Sequence, residues 1–67
     1  MNQTDQAKLC KAGYIIIRKD DTLIPSIKCK DASHPYSWKR YGGTYPSKAE
    51  RDRAMKRLLL SDKIVED

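Results

Sequence analysis

Ser47-Lys48-Ala49-Glu50 is the feature that most constrains this chain, because it marks where a helix begins. These residues fit a capping box: the Ser47 hydroxyl accepts from the Glu50 amide, and the Glu50 carboxylate reaches back to the Ser47 amide. Pro46 helps stop the segment before it. From Arg51 to about Ser61 the chain holds strong helix formers and neither Gly nor Pro. At about 100° per residue, Ala54, Met55, Leu58 and Leu59 span an arc of about 140°, an apolar stripe that needs a cover. Arg51 falls near the middle of that arc, so it either runs out past the edge of its cover or meets a partner. Leu60 lies off the stripe, where it packs on Ile64-Val65 or contacts another molecule.

The cover comes from upstream. Gly13-Tyr14-Ile15-Ile16-Ile17-Arg18 is short and rich in β-branched residues, which predicts a strand. Asp20-Asp21-Thr22 is a polar turn, and the strand pattern resumes from Leu23 to Lys30. There Ile27 and Cys29 alternate with Ser26, Lys28 and Lys30. Pro25 lacks a donor and belongs at a strand start, a bulge or a free edge. After the loop Asp31-Ala32-Ser33-His34-Pro35, Tyr36 to Tyr41 alternates as a third strand, which Gly42-Gly43 ends. Residues 1–11 are polar and aperiodic, which predicts a flexible N-terminal tail. The expected fold class is therefore α+β: a three-stranded antiparallel β-meander packed on one C-terminal α-helix (βββα), a single domain over residues 12–67.

Such a sheet buries one face. Ile15, Ile17, Ile27, Cys29, Tyr36 and Trp38 are expected under Ala54, Met55, Leu58 and Leu59. Strand periodicity then sends Tyr14, Ile16, Arg18, Lys28, Lys30, Lys39 and Tyr41 to the open face.

Size and charge bound the function. A 67-residue domain has little room for a pocket that would enclose a cofactor, which favours a surface activity. Fourteen Lys and Arg against nine Asp and Glu give +5. Residues 1–35 contribute +2 (six basic, four acidic), residues 36–57 +5 (seven, two) and residues 58–67 −2 (one, three). The third quarter therefore carries the field that attracts a polyanion. The polar amino terminus lacks the apolar core of a signal peptide, and the longest apolar runs, residues 14–17 and 58–60, are far below a membrane span. A cytoplasmic chain with no membrane partner is expected, its Cys10 and Cys29 reduced. Those two with His34 make three metal ligands at irregular spacing, so no metal and no cofactor is expected. No catalytic residue stands out either. Gly42-Gly43 lacks the lysine of a phosphate loop, His34 has no nucleophile at a suggestive spacing, and Asp20-Asp21 fits a solvated turn. The chain is not expected to be an enzyme or to take a small-molecule substrate.

What remains is nucleic-acid binding, to DNA or RNA, through the basic and Tyr-containing sheet face. Arg18, Lys28, Lys30, Lys39 and Arg40 would meet phosphates or bases with Tyr41 beside them, and Arg53, Lys56 and Arg57 on the helix would add phosphate contacts. Tyr14 and Tyr41 could instead stack unpaired bases. Lys28→Ala with Lys30→Ala would then weaken polyanion binding and leave the domain folded. The order strand–strand–strand–helix, with basic residues on the open sheet face, resembles the arm-binding amino-terminal domains of tyrosine-recombinase integrases over about residues 13–60. Plant transcription-factor domains with a three-stranded reading sheet look similar. Both resemblances rest on element order and charge placement and imply DNA contact through the sheet. The alternative is a protein-interaction module (an adaptor, an inhibitor or a mobile-element accessory factor) that binds an acidic protein surface or itself. Its apolar anchors would be Ile16, Leu60 and Val65.

Overall fold

The computed structural model describes residues 2–67. Its first element is a helix, α1, over Gln3–Lys11. Asn2 caps it, its side chain accepting from the Asp5 amide at 2.8 Å. The far end is a Schellman closure: the Gly13 amide donates to Cys10 O at 3.1 Å and the Tyr14 amide to Leu9 O at 3.0 Å. Gly13 takes φ +101°, a conformation other residues adopt only under strain. A helix therefore stands where the polar composition predicts a loose tail; Met1 lies outside the described residues.

Strand β1 (Ile15–Asp20) pairs antiparallel with β2 (Ser26–Lys30), which pairs antiparallel with the two-residue β3 (Lys39–Arg40). Pro25 sits directly before β2, a place a residue without a donor tolerates. Helix α2 spans Lys48–Leu58, and Ser47 Oγ accepts from the Glu50 amide at 3.2 Å. Only this half of the capping box forms, since Glu50 turns to Arg53 at 3.0 Å instead. The chain then returns as β4 (Ile64–Glu66), parallel to β1, giving the strand order β3-β2-β1-β4.

This architecture corrects the expected one. The sheet has four strands and is mixed, not a three-stranded antiparallel meander, and a second helix precedes it. The chain order β1–β2–β3–α2 is present, but the elements flanking it change which surfaces are open. On one face α2 covers Ile17, Ile27 and Cys29 with Met55, and Ala54, Leu58 and Leu59 pack around them as the helical stripe requires. On the other, α1 brings Gln6, Ala7 and Cys10 over the Ile16 and Lys30 end of the sheet, and these five residues are buried. Tyr36, expected in the core, is 56% exposed in the β2–β3 loop.

The third strand also reverses. Cys29 faces Lys39 across the ladder and Lys28 faces Arg40. Directly opposed residues share a face, so Lys39 lies on the α2 side and Arg40 on the other. Tyr41 follows Lys39 and packs against the α2-side core. Trp38, expected beneath α2, sits half-buried on the opposite side with Arg18 and Lys30 over its ring, 5.1 and 4.7 Å from the centroid.

Candidate functional site

Register assembles the most distinctive surface of the molecule. Arg18 stands opposite Lys28, and Lys28 stands opposite Arg40. Three strands thus present three cations in one transverse row, with Cβ atoms about 4.5–5.5 Å apart between neighbours. Like charges in directly opposed positions destabilise a sheet. One carboxylate relieves the row: Asp20 Oδ2 lies 3.7 Å from Lys28 Nζ and accepts from Ser26 Oγ at 3.3 Å. Arg18 leans on Trp38, a favourable contact for a guanidinium that leaves its charge in place. Among the described residues neither Arg18 nor Arg40 forms an ion pair.

The α2 side is balanced differently. Lys19 meets Asp52 at 3.8 Å, Arg53 meets Glu50 at 3.0 Å, and Arg51 is held between Asp21 and Asp52. That side mixes paired cations with Lys48, Lys56 and Arg57, which are exposed and form no ion pair among the described residues. What sets the row apart is register, since its three cations stand directly opposite one another.

The residues singled out from the sequence therefore divide. Arg18, Lys28 and Arg40 come together. Lys30 is 4% exposed, donates to Gln6 Oε1 at 2.7 Å and is roofed by Trp38, so it holds α1 to the sheet and offers no free charge. Replacing Lys30 by Ala would strip that network as well as a charge, so Lys28→Ala with Lys30→Ala does not isolate binding from folding. Lys39 lies on the other face, 4.0 Å from Asp31, and Tyr41 is half-buried there. Arg53, Lys56 and Arg57 project from α2, across the sheet from the row. Of the apolar anchors suggested for a protein-binding role, Ile16 is buried and Val65 half-buried, while Leu60 is exposed.

The aromatic rings near the row are already engaged. Lys63 covers Tyr14 at 4.9 Å, Arg18 and Lys30 occupy Trp38, and Tyr41 packs inward. None of them is an open ring beside the row on which an unpaired base could stack.

The row ends at the β1–β2 loop, and Asp20 organises that junction. Its Oδ1 accepts from the Thr22 hydroxyl at 2.7 Å and the Thr22 amide at 3.1 Å. These bonds, with smaller help from Lys28 and Ser26, hold the carboxyl down at about 2. An unfolded aspartate titrates near 3.9. The depressed value means that Asp20 stabilises the fold fully above about pH 4 and loses that contribution as pH falls from about 4 to about 2. We expect the Asp20 carboxyl carbon and the Thr22 amide to titrate together near pH 2 by NMR. Loss of their common transition in Asp20→Asn is the matching control; a Thr22 amide that titrates near 4 would contradict the assignment.

Arg51 explains its own place in the apolar stripe of α2. It is 2% exposed, pairs with Asp21, donates from Nε to Asp52 Oδ1 at 3.0 Å and from Nη1 to Asp20 O at 3.2 Å. Of the two outcomes open from the sequence, it takes the partner. With the Tyr45 amide donating to Pro25 O at 2.9 Å, the β1–β2 loop is tied at both ends. The sequence singles out neither this tie nor the exposed Leu23 and Ile24 between its ends; the combination of a basic residue on an apolar stripe and an acidic pair in a turn is the signal that could have suggested it.

No helix among the described residues is long and apolar enough to cross a membrane. No protein-family model, curated protein or solved structure matches the chain.

Proposed function

We propose that this chain is a small nucleic-acid-binding module that grips the phosphate backbone with Arg18, Lys28 and Arg40. One observation carries the reading: three cations stand in opposed positions of the sheet, where their repulsion costs stability and a single carboxylate relieves it. A polyanion removes that repulsion on binding and releases counterions as it does so. Occupied aromatic rings favour backbone contact over base stacking. The helix cations face away from the row, so they serve this grip only through long-range attraction.

A salt titration of binding to random duplex DNA and to single-stranded RNA, followed by fluorescence anisotropy, tests it. Three phosphate contacts predict log affinity falling against log salt with a slope of about −2.7 on duplex DNA. Absence of binding even at low salt would overturn the reading and direct attention to protein partners, self-association first.

A further inference from the structure

The loop at the end of the row has an unusual apex. Leu23 is 93% exposed and Ile24 is 53% exposed, and both border one shallow depression with Lys28 and Arg40. A lone exposed leucine on a loose loop needs no explanation. This loop is not loose: Asp20 and Thr22 form a side-chain turn, the buried Arg51 holds Asp21 and Asp20 O, and Tyr45 holds Pro25 O. Every tie falls on the flanks, and the two apolar residues between them are held out in water.

We propose that Leu23 and Ile24 form a wedge that enters the minor groove of duplex DNA and parts two stacked base pairs, while the cation row holds the adjoining backbone. The inference rests on the nucleic-acid reading above and adds the form of the target and what happens to it. Apolar side chains such as Leu and Ile act as wedges in minor-groove proteins, unstacking a step and kinking the duplex by roughly 20–90°. A minor groove about 6 Å wide admits a loop apex but not a helix. The flanking ties matter energetically, because a wedge already fixed in place loses little conformational freedom on insertion. Charge complementarity selects DNA over an apolar partner: the cations border the depression, and its one carboxylate, Asp20, is already engaged by Thr22, Ser26 and Lys28. Two apex side chains are also far short of the roughly 800 Å² per partner of a stable protein interface.

The test uses a short duplex carrying 2-aminopurine at flexible TA steps and a donor–acceptor pair at its ends. The full chain should raise 2-aminopurine fluorescence several-fold and shorten the end-to-end distance. Leu23→Ala with Ile24→Ala should stay folded and melt within a few degrees of the parent, since Leu23 lies in solvent and Ile24 is about half covered, and should bind several-fold more weakly with the same salt slope. It should abolish both optical signals. Salt-dependent binding of the parent with no fluorescence rise and no bend would overturn the wedge and leave the backbone reading standing. A failure to bind any nucleic acid would remove both. Preferential binding to phosphatidylserine vesicles, lost in the Leu23 and Ile24 variant, would overturn the wedge in favour of a lipid surface.

Discussion

Arg51→Ala is expected to lower the free energy of unfolding by about 2–4 kcal/mol, from the combined loss of a large packed side chain and its charged hydrogen bonds. A domain of this length holds roughly 3–10 kcal/mol in total, so the loss removes a large share of its stability and should lower the urea midpoint markedly. The cost comes mainly from the void and from Asp20 O losing its donor. It does not come from a stranded charge, because Asp21 and Asp52 are each nearly half exposed and water solvates them. Two comparisons separate these contributions. Arg51→Met fills much of the space and should cost about 1–2 kcal/mol. Asp21→Ala leaves Arg51 bound to Asp52 and Asp20 O and should cost clearly less than Arg51→Ala. Urea denaturation followed by the fluorescence of Trp38, the chain's lone tryptophan, measures all three. If Arg51→Ala proves no more costly than Asp21→Ala, the arginine is not the tie that holds the β1–β2 loop to α2.

Neutralising the row should leave stability nearly unchanged and have the largest effect on binding. The triple substitution Arg18→Ala, Lys28→Ala and Arg40→Ala removes two directly opposed like-charge pairs, each unfavourable by roughly 0.2–1 kcal/mol. Lost packing of Arg18 on Trp38 and the lost Lys28–Asp20 ion pair offset part of that gain. The domain should therefore stay folded, with a melting temperature close to that of the parent. Its affinity for duplex DNA should fall by on the order of 10²–10³ near 0.1 M salt, and the salt slope should shrink by about 2.7, three contacts at 0.9 each. Weaker binding without lost stability is the signature of residues kept for contact and not for the fold. Arg53→Ala with Lys56→Ala and Arg57→Ala carries the same formal charge change on the far side of the sheet. It should reduce affinity far less, and equal losses from the two triples would mean that only net charge matters.

How much of this was legible in advance follows from the period of each element. Helix α2 was, because Ser47 and Pro46 punctuate its start and Ala54, Met55, Leu58 and Leu59 repeat at helical spacing. The pair β1 and β2 was too: five or six residues with a buried face leave no freedom of register, and Ile15, Ile17, Ile27 and Cys29 lie where alternation puts them. Those two strands also carried Arg18 and Lys28 correctly to one side. In β3 the same logic fails, since two paired residues after an irregular loop carry no pattern strong enough to choose a face, and a one-residue slip exchanges Lys39 for Arg40. Helix α1 hides for a different reason. It buries Gln6, Ala7 and Cys10, small or polar groups that make no apolar period, and only the Asn2 cap and Gly13 announce it.

By itself, then, the sequence determined the elements with strong local punctuation, the β1, β2 and α2 residues of the core, and the presence of excess cations on the strands. Tertiary structure alone decided that Arg40 joins Arg18 and Lys28 and that Lys30 is buried. Strand β4 exists only through its pairing with β1, far away in the chain, and α1 finds its place through Lys30 and Asp67, both bonded to Gln6. Each of these contacts joins segments 24 or more residues apart whose local sequences carry no trace of one another. The open surface of the protein is what such long-range packing leaves uncovered, and no single stretch of chain encodes it.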